Sequence, residues 1–175
     1  MDKFLTLLDL QKAAREAGSP EAFGFSIVNA THKLVPYAQA LFWVREHNHV
    51  RLKSASGNIV IDHQGEYVKA LENFLEAALK DGEVSVADFS KENIGPDLGG
   101  NFAGHAINLV FKTEKEGVLG GLWIERPQDF HESERHVLEE LAQSYAQSLA
   151  ILNLRGRKLF RFSIGSKTLP RKYIA

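Results

Sequence analysis

Apolar positions change period several times along the chain, and each change marks an element. From Phe4 to Ala17 they fall at 4, 7, 8, 14 and 17 among charged residues, which is helical spacing, and Gly18 stops the run. Ser19-Pro20-Glu21 opens a second helix, with Ser19 suited to the N-cap and Pro20 to the first helical position. Phe23, Ile27, Ala30, Thr31 and Leu34 form its buried stripe, and Pro36 ends it. Ala40 to Arg45 reads as a strand. Glu46 to His49 turns the chain, and Val50 to Lys53 alternates apolar and basic as a second strand with one wet face. Ser56-Gly57-Asn58 breaks this hairpin.

A third helix is predicted from about Gln64 to Lys80, on the stripe Tyr67, Leu71, Phe74, Leu75, Ala78 and Leu79, with Gly82 as a left-handed cap. Val84 and Val86 mark a short strand. Asp88 to Gly104 is expected to be loop, because Asn93, Gly95, Pro96, Asp97, Gly99, Gly100 and Gly104 all disfavour regular structure. A loop that long in a compact domain is usually functional or mobile. Ala106 to Lys112 and Val118 to Glu125 form a strand pair across the turn 113–117. Gly120-Gly121 inside the second strand suggests a bulge or a close approach by another backbone. The last helix, Arg135 to Leu152, buries Val137, Leu138, Leu141, Ala142, Tyr145, Leu149 and Leu152. Its cap is Asp129 or His131, which puts Glu132 or Glu134 at the third helical position. Strands joined by short turns, with helices before, between and after them, indicate an α+β domain on an antiparallel sheet.

Charge adds a second layer. All 22 acidic residues and fourteen of the 21 basic ones lie in residues 1–140, a formal charge of −8 there. Residues 141–175 carry +7, from Arg155, Arg157, Lys158, Arg161, Lys167, Arg171 and Lys172, with no acid. An acidic body with a basic tail points to partners, not to fold. The chain has no cysteine, which excludes disulfides, thiolate nucleophiles and Cys-ligated metals. No apolar run approaches the ~20 residues of a spanning helix. These features suit a cytoplasmic protein.

The element order resembles a GAF domain over roughly residues 4–155. The motifs that carry the likeness are the strand Gly-Val-Leu-Gly-Gly-Leu-Trp-Ile-Glu from Gly117 and the helix start Phe-His-Glu-Ser-Glu-Arg-His-Val-Leu-Glu-Glu-Leu-Ala from Phe130. The resemblance implies a GAF-like antiparallel sheet of five to six strands with helices on both faces. It implies terminal helices that pair into a homodimer, and a small-molecule pocket under the middle helix and the long loop. On that reading residues 1–155 are the GAF-like domain and 156–175 a basic tail or juxtamembrane linker. Bilin-binding and methionine-sulfoxide-reducing GAF relatives use cysteines, which are absent here. The Asn-Lys…Phe…Asp-Glu pattern of the cyclic-nucleotide-binding relatives is not evident. A GAF module followed by a basic stretch also resembles the N-terminal part of some haemolysin-D-type membrane-fusion proteins of efflux and secretion. There a membrane helix would follow, with Arg171, Lys172 and Tyr173 at its cytoplasmic edge on the inner face of the membrane.

Among candidate site residues, Trp43, Tyr67, Phe74, Phe89, Phe102 and Trp123 bracket the pocket the resemblance implies, and most aromatics in such a chain are core. Tyr67, Phe89 and Phe102 are the better pocket candidates, being on the middle helix or beside the long loop. His105, at the strand edge after the glycines, joins them. Metal ligation is not expected. His131 and His136 are five apart, not the four that align two ligands on a helix face, and His47 with His49 lacks a third ligand. The glycines of the loop match neither the dinucleotide nor the P-loop pattern. No nucleophile–base–acid set stands out, so the chain is read as non-catalytic, with no cofactor assigned. The seven basic residues of the tail, interleaved with Leu159, Phe160, Phe162 and Ile164, would lie on an anionic membrane surface in preference to nucleic acid. The function expected is a sensory or regulatory module, binding a small molecule or partner and coupled to a membrane-anchored protein. The alternatives are a ligand-free dimerisation scaffold and a polyanion-binding protein acting through the tail.

Overall fold

A computed structural model describes residues 2–165. Asp2 caps helix α1 (Lys3–Glu16) by accepting from the Phe4 N–H at 2.9 Å. Ser19 caps α2 (Pro20–Ala30), its Oγ accepting from the Ala22 N–H at 3.1 Å, and Pro20 occupies the first helical position. A short 3-10 turn, Thr31–Lys33, carries α2 toward Pro36. Strands β1 (Gln39–Glu46) and β2 (His49–Ala55) follow, joined by His47 and Asn48. Both connecting residues have positive φ, 50° and 70°, as the two-residue hairpin loop matching strand twist requires. Then come α3 (Glu66–Asp81), β3 (Val86–Ser90), the one-turn α4 (Pro96–Gly99), β4 (His105–Thr113), β5 (Gly117–Arg126) and α5 (Glu132–Gly165).

The five strands pair antiparallel in the order β2-β1-β5-β4-β3. Period-two alternation gives the sheet two apolar faces, and each is covered. On one face Phe42, Ile107, Leu109, Phe111, Leu122 and Ile124 pack against α1, α2 and α5. Phe23, Phe42, Phe111 and Tyr145 form an edge-on aromatic cluster at its centre. On the other face Leu41, Trp43, Ala106, Val110 and Trp123 pack against α3 and the segment around α4.

Several element ends differ from the sequence expectation. The third strand covers Val86–Ser90, not Val84–Ala87, in register from Val86 opposite Leu109 to Ser90 opposite His105. Asp88, Phe89 and Ser90 therefore leave the expected loop and join the sheet, because β4 supplies hydrogen-bond partners that no local pattern reveals. Pro96 starts α4 within the remainder. Gly82 does not take a left-handed cap. Its φ of 166° is extended backbone, and its N–H donates to the Ala78 carbonyl at 3.2 Å. The last helix does not stop at Leu152 but runs to Gly165, with Gly156 costing about 1 kcal/mol and no proline to break it. His131, not Asp129, precedes its first turn. Glu134 reaches back to the His131 N–H at 2.9 Å, half of a capping box. The bulge near the glycine pair falls at Leu119, since Lys112 pairs with Val118 and Phe111 with Gly120.

The free edge of β2 is closed by carboxylates from α3. The N–H groups of Val50 and Leu52 donate to Glu76 and Glu72, each at 2.9 Å, and Arg51 donates to Glu72 at 3.0 Å. Glu72 is buried. Replacing it with alanine strips two donors of their acceptor, so a loss of about 1–3 kcal/mol is expected in urea unfolding. An unchanged midpoint would show that water serves the β2 edge equally well.

Candidate functional site

Beneath α3, the sheet carries polar groups within an apolar layer. On β5 the alternation that sends Leu122 and Ile124 toward α5 sends Trp123 and Glu125 toward α3. Trp123 is the hub of an aromatic box. Its ring centroid lies 5.9 Å from Phe74 of α3, 5.5 Å from Phe89 of β3 and 6.4 Å from Phe102. Asn108 of β4 is buried behind it and accepts from the Trp43 indole N–H at 2.9 Å. The Trp123 indole N–H is itself buried and makes no hydrogen bond.

Glu125 sits two residues further along the same face and is 1 % exposed. The Tyr67 hydroxyl donates to Oε1 at 2.6 Å, and the Ala103 N–H donates to Oε2 at 3.1 Å. No Lys, Arg or His among the described residues pairs with it. Burial, then the charge of Glu125 and its hydrogen bond, push the Tyr67 phenol far above its ordinary pKa. The nearby Trp123 N–H works weakly the other way, without reaching hydrogen-bond geometry. Tyr67 is thus a neutral donor throughout the physiological range. Removing its hydroxyl, Tyr67→Phe, leaves a buried carboxylate with one donor, and a loss of about 1–3 kcal/mol is expected in thermal or urea unfolding. A variant as stable as the parent would mean that Glu125 finds water instead.

The segment from Lys91 to Gly104 closes this region. Ile94, Leu98 of α4 and Phe102 turn inward and are each no more than 6 % exposed. At its outer rim the segment leaves a groove of about 390 Å³ against α3, lined by Ala70, Asn73, Phe74 and residues 93–98. Gly104, at φ 138°, ends it where a Cβ would stand 3.1 Å from the Pro127 carbonyl oxygen.

Three of the four pocket residues expected from sequence meet here: Tyr67, Phe89 and Phe102. The fourth does not. His105 begins β4 on the register of Ile107 and Leu109, facing α5, with Nδ1 3.6 Å from Asp129 Oδ1. Strand alternation separates it from Ala106, which faces the box. Glu125 was missed, because a charged residue at a strand end ordinarily reads as solvated. The only signal was its period-two relation to Gly121 and Trp123. In the tail, Arg155, Arg157 and Lys158 are exposed on α5, and Arg157 lies 3.4 Å from Glu116. Arg161 falls within the same helix, while Lys167, Arg171 and Lys172 lie outside the described residues. Among the described residues, no cluster of three His, Asp or Glu is placed to hold a metal ion, and no helix is long and apolar enough to cross a membrane.

No protein-family model matches the sequence, and no curated protein matches it. The fold, however, is widely shared. The GAF domain of an Acinetobacter phosphoenolpyruvate-protein phosphotransferase superposes with a TM-score of 0.66 at 15 % identity, over 88 % of this chain and 97 % of that one. The GAF domain of the Coxiella burnetii phosphoenolpyruvate-protein phosphotransferase gives 0.62 at 15 % identity, over 90 % and 98 %. The free methionine-R-sulfoxide reductase of Neisseria meningitidis, solved with its substrate, gives 0.65 at 12 % identity, over 87 % and 91 %. The chain has the GAF fold.

Proposed function

We propose that the protein is a non-catalytic sensory or regulatory module that takes a small molecule beneath the 91–104 segment, against Trp123 and Glu125. The observation that carries this reading is the buried Tyr67–Glu125–Ala103 cluster under a closing segment. A fold that needed only a core would place an apolar side chain at position 125, since an unpaired buried charge is costly. The GAF neighbours include domains of phosphotransferases and an enzyme crystallised with its substrate, which fits a face able to admit small ligands. The absence of cysteine separates this chain from thiol chemistry.

Transmission follows from strand alternation. Glu125 holds the Ala103 N–H on one face, and its neighbour Arg126 holds Glu134, in the first turn of α5, on the other. A ligand that prefers an arrangement with Ala103 released would act on the end of β5 that anchors α5. Its differential affinity for the two arrangements sets the size of the response. Native mass spectrometry of the protein as purified tests the reading, together with limited proteolysis of residues 91–104. A copurified small molecule, or ligand-dependent protection of that segment, is expected. An empty protein whose segment resists protease would leave the dimerisation scaffold as the better account.

The charge step at residue 141 favours a second element of the reading: coupling to a membrane-anchored partner of the haemolysin-D adaptor type, through a basic stretch on anionic lipid. Vesicles containing phosphatidylglycerol should bind the protein in a salt-sensitive manner. They should bind poorly when Arg155, Arg157, Lys158 and Arg161 are replaced by glutamine. Equal binding by that variant would remove the membrane element and leave the pocket reading intact.

A further inference from the structure

We infer that the ligand of the Trp123–Glu125 site is a small organic cation, of the alkylammonium or quaternary ammonium class. The inference rests on the proposed function, because it names the ligand class of that same site. Three observations carry it. Glu125 is buried and has no basic partner among the described residues, so no positive group faces its carboxyl oxygens. A carboxylate accepts about four hydrogen bonds, and only two donors reach this one. One donor, Tyr67, lies on α3 and the other, Ala103, within the closing segment, so an outward movement of that segment would free a further acceptor position on Glu125.

The second observation is the wall. Trp123 packs against Phe74, Phe89 and Phe102 at centroid distances of 5.5–6.4 Å, on the sheet face that also carries Glu125. Aromatic faces attract cations through their quadrupoles, and Trp is the strongest of them. A carboxylate beside an aromatic box selects positive charge over an equally sized neutral group, and it repels anions such as nucleotides. The third observation is the buried Trp123 N–H without an acceptor. It leaves a donor in the same cluster for a hydroxyl or carbonyl oxygen on the cation. A ligand bearing both an ammonium and one oxygen would satisfy Glu125 and Trp123 together, while Phe102 and Ala103 move outward to admit it.

The test is a titration of the 15N-labelled full chain, read by the Trp123 indole and Ala103 amide resonances. The probes are the chlorides of choline, tetramethylammonium and n-butylammonium, and the neutral choline isostere 3,3-dimethylbutan-1-ol. Ionic strength is matched with sodium chloride, and W123F assigns the indole. At least one cation is expected to shift both resonances saturably, with an affinity about tenfold or more above that of the neutral alcohol. Glu125→Gln should abolish that preference. If E125Q does not fold, the comparison of choline with its isostere in the parent protein decides alone. Equal binding of the neutral alcohol would overturn the cation assignment but keep a pocket at Trp123. Silence toward all three cations would overturn the assignment too. The proposed function would then stand or fall separately, on the copurified molecule and the proteolysis of residues 91–104.

Discussion

Arg126→Ala is expected to be among the most damaging single substitutions in the chain, lowering the unfolding free energy by about 3–5 kcal/mol. Arg126 is 9 % exposed, and its guanidinium is bonded on several sides. It donates to Glu134 Oε1 at 3.2 Å and Oε2 at 2.6 Å, to the Pro36 carbonyl at 3.0 Å, to the Asp129 carbonyl at 2.7 Å and to the Gln128 carbonyl at 3.1 Å. It also lies 4.0 Å above the Phe130 ring. One side chain thus ties the end of β5 to the start of α5 and to the connection between α2 and β1. Alanine would leave Glu134 as a buried charge with only the His131 N–H, and three carbonyls without a donor. Thermal unfolding should drop by roughly 2–4 °C per kcal/mol lost in a chain this long. Arg126→Lys keeps the charge but not the planar fork, so an intermediate loss is expected. A fall of less than about 1 kcal/mol in R126A would mean that solvent reaches Glu134 easily.

The same pair gives a pH signature. Burial raises the Glu134 carboxyl, but hydrogen bonds from Arg126 and the His131 N–H, with the charge of Arg126, outweigh it and hold the group below the ordinary carboxylate range. A carboxyl depressed in the folded state stabilises fully above its unfolded value of about 4.3, and the contribution disappears as pH falls through the folded value. Urea midpoints of the parent should therefore decline below about pH 4 more steeply than those of Glu134→Gln. Parallel profiles would remove Glu134 from the acid sensitivity of the fold.

Local chemistry made the elements legible, and only assembled neighbours made the site so. Ser19-Pro20 announced α2 because a cap and a first-turn proline act within one turn of chain. The stripes of α3 and α5 announced their buried faces for the same reason. The sheet assignment of Asp88 to Ser90 was hidden, since its partner residues lie fifteen or more positions away on β4. Tyr67, Phe89 and Phe102 could be nominated as aromatics flanking a long loop. His105 was misplaced by one residue of alternation, which in a strand exchanges one face for the other. Glu125 became visible only when Tyr67, 58 positions earlier, was seen to donate to it.

Gly121→Ala carries the other large expected effect, because a methyl there has nowhere to go. Position 121 lies on the central strand, paired with Trp43 of β1 and Val110 of β4. A Cβ would collide with the Leu109 carbonyl oxygen and with the benzo ring of Trp43. The carbonyl is backbone inside the sheet and cannot retreat without parting the ladder. Trp43 is fully buried, and its indole N–H is held by Asn108, so swinging the ring away would break that bond as well. Since either neighbour can yield only by giving up a hydrogen bond, the cost of overpacking should reach the upper end of its usual range, about 3 kcal/mol or more. Gly100→Ala is the matched control. Its φ is −72° and open space surrounds the position where a Cβ would stand, so stability should hold or rise by up to about 1 kcal/mol. Melting temperatures of the two variants test the argument, and equal values for G121A and the parent would show that the sheet relaxes locally. If G121A folds, the strain should appear first in the indole resonance of Trp43, because that ring is the one movable part of the contact and also backs the face that carries Trp123 and Glu125.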